Sequence, residues 1–427
     1  MSNKVKGSGL VPKLRFPEFR EAGEWEADEL GTVAIFVNEK IPVEQVALEN
    51  YVSTENILQD FGGVVRASKL PTMGAVTQFR PLDTLVSNIR PYLKKVWVAD
   101  KEGGASNDVI VIRAKQQLLP QYFSFLLKND TFIDYVMTGA KGVKMPRGDI
   151  GSMKAYPTLY PTKPEQQKIA DCLASLDQRI TLEAQKLATL KSHKKGLMQQ
   201  LFPRVAGASS SKETREQDAP ATPKLRFPEF RDAGVWEVTT LGKLGELISG
   251  LTYSPDDVRD SGLLVLRSSN VQNGEISLGD NVYVTPNIKG TNLSKANDIL
   301  ICVRNGSKAL IGKNALIPEG MPLCTHGAFM TVFRSRSAKF VFQLFQSAVY
   351  QNQVDADLGA TINSINGSHF IKYKFCVPHP EEQQKIADCL SSLDDLITAQ
   401  TQKLAALKTH KKGLMQQLFP SADEVGA

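Results

Sequence analysis

Cysteine and histidine are scarce, with five of each in 427 residues. Cys172, Cys302, Cys324, Cys376 and Cys389 form no CxxC pair, and none stands near a histidine at metal-ligand spacing. That leaves no metal site, and the usage fits a reducing cytoplasm. No apolar run approaches the roughly 20 residues that a membrane span needs. The opening stretch MSNKVKGSGLVPK has no apolar core of the secretory kind. The expectation is a cytoplasmic protein with no membrane partner. Charge of either sign is also far from dominant, at a formal +6 and a pI of about 8.9. Such a balance permits a nucleic-acid partner without demanding one, so any basic surface must be local.

Catalytic and cofactor signatures are missing as well. GSKALIGKN at Gly306 has five residues between its glycines where a P-loop has four, and Asn314 stands where Ser or Thr would bind magnesium. No GxSxG, HExxH, GxGxxG or Asn-Pro-Pro-Tyr-type motif occurs. The reading is a chain with no catalytic residues, no metal and no cofactor. His193 and His410 occupy one repeat position, in HKKG, and read as residues of a solvated helix face.

What the sequence does have is repetition. Residues 165–203 align without a gap to 382–420, with 31 of 39 positions identical. A shorter pair precedes each half: PKLRFPEFREAGEWEADELG from Pro12 and PKLRFPEFRDAGVWEVTTLG from Pro223. The order is short repeat, variable block, long repeat, twice over. Between the halves, residues 204–222 are small, polar and aromatic-free, the composition of a flexible linker.

The long repeat reads as a helix. Ile169, Leu173, Leu176, Ile180, Leu187, Leu190, Leu197 and Leu201 advance in alternating steps of four and three, interrupted at Glu183 and Lys194. The second copy follows with Ile386, Leu390, Leu393, Ile397, Leu404, Leu407, Leu414 and Leu418, interrupted at Gln400 and Lys411. This spacing describes a coiled-coil seam over several heptads, on helices of about 57 Å. The plainer alternative is an amphipathic helix packed on its own domain. Off the seam, Ala170, Ala184, Ala188, Met198 and Phe202 suggest a second packing surface.

The variable blocks share a plan rather than a sequence. YVSTENILQDFGGV at Tyr51 is echoed by VLRSSNVQNGEI at Val265, and DTLVSNIR at Asp83 by DILICVRN at Asp298. Each block then has one helical stretch, QYFSFLLKNDTFIDYVM or KFVFQLFQSAVYQNQV, and ends in a polar loop and a short strand leading into the long helix. Two mixed α/β domains of one fold with diverged surfaces are expected.

The doubled PKLRFPEF, EQQKIADCL and HKKGLMQQLFP, in this order and spacing, resemble the specificity subunit of type I restriction–modification systems. The resemblance covers almost the whole chain. It implies a mixed α/β (α+β) fold: two similar globular target recognition domains joined by two long antiparallel coiled-coil helices, with pseudo-two-fold symmetry. The divisions would be residues 1–160 for the first recognition domain, 161–203 for the central helix, 204–222 for the linker, 223–377 for the second domain and 378–420 for the distal helix. The resemblance further implies that each domain reads one half of a bipartite, asymmetric site in double-stranded DNA. Its partners would be two methyltransferase subunits and two restriction subunits, with no catalysis of its own. Two other classes compete: a purely structural scaffold, and a fused endonuclease, which the lack of a carboxylate–Lys constellation disfavours.

On that reading the candidate DNA contacts of the first domain are Asn88, Arg90, Lys94 and Lys95 in SNIRPYLKKVW. Lys141, Lys144 and Arg147 on the Gly-rich loop TGAKGVKMPRGD join them. In the second domain they are Arg267, Ser269 and Asn270, then Arg304, Asn305 and Lys308, then Thr361, Asn363 and Asn366. Arg and Lys suit guanine edges and phosphates, and Asn suits adenine edges.

The polar interruptions carry an expectation of register. Buried polar groups need partners. An antiparallel pairing with Glu183 opposite Lys411 also sets Lys194 opposite Gln400, because both pairs of numbers sum to 594. A parallel pairing would stack Lys194 on Lys411. The expected overlap runs from Ser175–Phe202 against Ser392–Phe419, about 40 Å, near the length of one DNA turn.

Overall fold

The computed structural model describes residues 11–203, 222–358 and 363–420. The linker at 204–221 and Thr361 lie outside them. The chain divides into two compact units, one of residues 1–184 with 402–427 and the other of 185–401. Each unit has its own cores, and each long helix, Lys163–Leu201 and Pro380–Leu418, is shared out between the two units.

Each unit is organised around an equivalent four-stranded antiparallel sheet. In the first unit the order across the sheet is Ala34–Phe36, Val109–Ala114, Thr84–Ser87, Val96–Val98. In the second it is Glu246–Ser249, Met330–Arg334, Ile299–Cys302, Asn314–Leu316. The central strands are buried along most of their length, and Val109–Ile112 and Ile299–Cys302 are continuous apolar runs. The register equates Ser87↔Val109 with Cys302↔Met330, so positions in one unit can be matched to the other. The echoed aspartates are matched in this way. Asp83 takes a bidentate hydrogen bond from Arg113, and Asp298 takes one from Arg334, with both carboxylates almost fully buried.

The second sheets are less alike. Both contain a parallel pair, Tyr51–Val52 beside Gly103–Ala105 and Leu263–Leu266 beside Cys324–His326. The antiparallel strand Ala75–Phe79 adds to the later member of the first pair, whereas Val282–Val284 adds to the earlier member of the second. The common fold therefore diverges in connection as well as in surface.

The single helical stretch expected in each block is two helices. Pro120–Leu127 and Asp130–Thr138 are separated at Asn129, whose backbone is extended and whose side chain accepts from the Thr131 N–H. Ala338–Phe345 and Ala348–Leu358 are separated where Ser347 turns its hydroxyl back to the Leu344 carbonyl. Asn and Ser compete with the helix for backbone groups, and both capping signals stand in the sequence.

The repeats explain one another. In the first unit Arg15 of the short repeat donates twice to Glu165 at the start of the long helix, at 2.8 and 2.7 Å. Lys168 pairs with Glu18 and lies over the Phe16 ring. The neighbouring Leu14 N–H donates to the Gln417 carbonyl at the end of the other long helix, at 3.0 Å. The second unit repeats each contact: Arg226 with Glu382, Lys385 with Glu229 and Phe227, and Leu225 N–H with the Gln200 carbonyl. Next in the repeat, Gln166 is fully buried; it accepts from the Leu119 N–H and donates to the Gln117 and Pro161 carbonyls. The short repeat is thus a clasp between the start of one helix and the end of the other.

Within each unit the two helix segments run antiparallel, but the expected register is corrected by about one heptad. Lys411 pairs with Asp177 rather than Glu183, Glu183 with Lys403, and Lys194 with Asp394. These numbers sum to 586–588 rather than 594. Two physical reasons favour the observed pairing. It gives partners to the outer seam residues: Ile169, Leu173, Leu414 and Leu418 share the first core, and Leu197, Leu201, Ile386 and Leu390 the second. A lysine also need not be answered in its own layer, because its ammonium reaches a carboxylate beside the seam while its stem stays in it. Met198 and Phe202 pack in the second unit's core and Ala170 in the first, so part of the off-seam apolar face is covered by the unit's own domain. Ala188 is exposed and Ala184 half-buried.

Candidate nucleic-acid interface

Beyond the strand Thr84–Ser87 the chain continues as Asn88–Ile89–Arg90 and pairs with the basic loop. Arg90 N–H donates to the Pro146 carbonyl at 2.8 Å, Gly148 N–H to the Asn88 carbonyl at 3.1 Å, and Ile89 bridges Arg147. The loop itself closes by reciprocal bonds between Lys141 and Arg147, both 2.9 Å. Gly142 turns it with φ of +95°. At Gly148 a Cβ would meet the Asn88 Oδ1 and Val136 Cγ1 at 2.9 Å and Met153 Cε at 2.4 Å, so any other residue would have to displace all three. The fold therefore brings Asn88, Arg90, Lys141, Lys144 and Arg147 to one strip. Asn88 Oδ1 and Arg90 Nε are buried there with no hydrogen-bond partner among the described residues.

The second unit builds the same strip. Val303–Arg304–Asn305 follow the strand Ile299–Cys302. Asn305 N–H donates to the Asn363 carbonyl at 3.4 Å, Ile365 N–H to the Val303 carbonyl at 2.8 Å, and Arg304 bridges Ser364. Asn305 Nδ2 donates to Ser268 Oγ at 3.2 Å, which draws in the segment of Arg267 and Ser269. Among the described residues, members of all three clusters expected in this domain meet. Ser269, Arg304, Lys308 and Asn363 are exposed.

Several of the expected contacts have partners within the fold. Asn270 is fully buried; it accepts from the Arg267 N–H and donates to the Ser277 and Asp280 carbonyls. Asn56 does the same in the first unit, so the echo between the blocks marks a shared turn. Lys95 donates to the Thr54 carbonyl. Lys94, at φ of +53°, pairs with Asp130, which also holds Lys412. Burial pushes the Asp130 carboxyl up, but its two lysine hydrogen bonds outweigh this and leave it below the usual range. Arg267 pairs with Asp280. Asn366 caps the helix Gly367–Phe370.

Sequence reasoning passed over two residues of these strips. Phe329 is 58% exposed, and its carbonyl accepts from Val303 and Arg304 N–H groups. Its counterpart in the first unit is Asp108, whose carbonyl accepts from Asn88 N–H and whose side chain pairs with Arg147 at 2.9 Å. The tip of the basic loop also carries apolar residues, Val143 fully exposed and Met145 half-exposed. Only long-range strand register reveals Phe329 and Asp108 as equivalent. Among the described residues, no group of three or more His, Cys, Asp or Glu could hold a metal, and no helix is long and apolar enough to cross a membrane.

Comparison with known proteins agrees with the resemblance. The chain is 30% identical over 168 residues to the type I restriction enzyme EcoKI specificity subunit of Escherichia coli, covering 37% of this chain and 36% of that one. It is 27% identical over 197 residues to the StySPI specificity subunit of Salmonella potsdam, covering 44% and 42%. The chain thus matches well under half the length of these curated relatives. In fold it is similar to the crystal structure of a type I restriction–modification system S subunit from M. genitalium, with a TM-score of 0.60 at 15% identity over 96% of this chain and 99% of that one. Residues 80–192 and 234–409, well over half the chain, match the family described as the type I restriction modification DNA specificity domain, and the chain belongs to that family.

Proposed function

We propose that this chain is the DNA-reading subunit of a type I restriction–modification complex. Each unit reads one half of a bipartite, asymmetric site, and the clasped helices serve as the scaffold on which methyltransferase and restriction subunits assemble. The chain contributes recognition and no catalysis, and it acts in the cytoplasm. The observation that carries the reading is the pair of equivalent strips. One backbone arrangement, 88–90 against 146–148 and 303–305 against 363–365, bears different side chains in the two units. Equivalent platforms with divergent surfaces suit two readers of different half-sites. Their basic and amide side chains suit phosphates and base edges. The duplicated clasps and seam residues suit docking of like partners twice over.

The test is a block exchange. Residues 243–376 are replaced by the matching block of another family member, and methylated sites are mapped in host DNA. One half of the motif changes and the other persists. A replacement that alters both halves together, or a wild-type complex with no split motif, overturns the proposal.

A further inference from the structure

We infer that Phe329 and Arg304 form one base-reading element, in which the ring meets the 5-methyl group of a thymine beside a guanine taken by the guanidinium. The inference rests on the DNA-reading function proposed above and deepens it by naming a specificity-determining pair and its bases. Phe329 is 58% exposed, while the next residue, Met330, is 2% exposed and anchors the strand. Its main chain is pinned to the strip by the bonds from Val303 N–H at 3.0 Å and Arg304 N–H at 3.1 Å. The ring is therefore held out of the core on a fixed support. The Arg304 guanidinium lies over it, 5.7 Å from the centroid, and makes no salt bridge among the described residues. A cation–π contact of this kind occupies no N–H group of the guanidinium with a carboxylate, so those groups can serve a bidentate acceptor such as guanine O6 and N7.

The fold does not require an aromatic here. The same backbone site in the first unit holds Asp108, which makes the equivalent main-chain bond at 2.8 Å. An exposed ring on a platform that accepts an acid elsewhere is explained by what it faces. The strip that the Phe329 carbonyl joins also carries Asn305, which bonds the Asn363 carbonyl and Ser268 Oγ, and Asn and Ser side chains are suited to base edges. The apolar group that a base presents in the major groove is the thymine methyl, which makes thymine the base for Phe329.

The test uses the assembled complex with its methyltransferase subunits. The motif methylated by the wild type is mapped first. Binding is then measured to duplexes carrying that motif with each thymine of the Phe329-dependent half replaced in turn by deoxyuridine, which lacks only the methyl. One replacement should weaken wild-type binding by about fourfold, the value of one buried methyl group. The same replacement should cost Phe329→Ala nothing further, and this variant should methylate a motif relaxed at that position alone. Phe329→Leu keeps an apolar surface and should retain most of the discrimination, which separates loss of contact from loss of fold. Unchanged motif and affinity in Phe329→Ala, or deoxyuridine costs equal in wild type and variant at every thymine, would overturn the inference while leaving the split motif, and so the underlying function, intact.

Discussion

Replacing Arg15 with alanine tests the clasp where it is most exposed to refutation. The Glu165 side chain is 1% exposed and that of Arg15 is 7% exposed. The pair is bidentate, and Arg15 also donates to the Gly23 carbonyl at 2.6 Å. Arg15→Ala leaves a carboxylate buried without its cation. Breaking such a pair costs about 3–5 kcal/mol. The loss should appear where the clasp acts, as amide exchange in residues 163–173 faster by roughly a hundredfold to a few thousandfold. Because Arg226 and Glu382 repeat the geometry at 9% and 1% exposure, Arg226→Ala should cost the second unit a similar amount around residues 380–390. Removing both partners, as Arg15→Met with Glu165→Leu, should restore most of the loss, since a well-packed apolar pair can replace a buried ion pair at little cost. Hydrogen–deuterium exchange on the full chain gives all three quantities. A single-mutant cost under about 1 kcal/mol, the value of an exposed pair, would refute the reasoning.

Further expectations follow from the same contacts. Lys128 is held below the usual lysine range by burial, with Lys411 adding to the effect against Asp177, and its counterpart in the second unit is Gln346; Lys128→Gln should therefore raise the melting temperature by a few degrees. Charge reversal at Asp177 should loosen the helix pairing in the first unit, and the double exchange Asp177→Lys with Lys411→Asp should recover it, whereas Glu183 paired to Lys411 would predict no recovery. Asp130, depressed by Lys94 and Lys412, contributes stability that is present above the ordinary carboxylate pKa and lost as pH falls through its lower folded value, so Asp130→Asn should flatten the loss of stability in acid titrations below about pH 4. Lys141→Ala with Lys144→Ala and Arg147→Ala should weaken DNA binding and reduce the salt slope by up to about 0.9 per phosphate contact, and an unchanged slope would assign the loop to structure.

The sequence alone determined the architecture, because its signals are periodic or repeated. The alternating steps from Ile169 to Leu201 specify a helix with one apolar seam whatever surrounds it. Two copies of that seam, each with its own short repeat, specify two like halves. The apolar runs around Val86 and Ile301 likewise mark buried strands. What the sequence could not fix was anything set by contacts between distant segments. The seam admits registers a heptad apart, and the choice fell to burial of Ile169, Leu173, Ile386 and Leu390 and to carboxylates beside the seam. Asn270 and Asn363 look alike in sequence. One is buried satisfying three backbone groups and the other is exposed on the strip, and only the packed fold distinguishes them. Phe329 and Asp108 share no local pattern at all; pairing between strands far apart in the chain makes them the same position, because a sheet register is a property of its partners and not of any one strand.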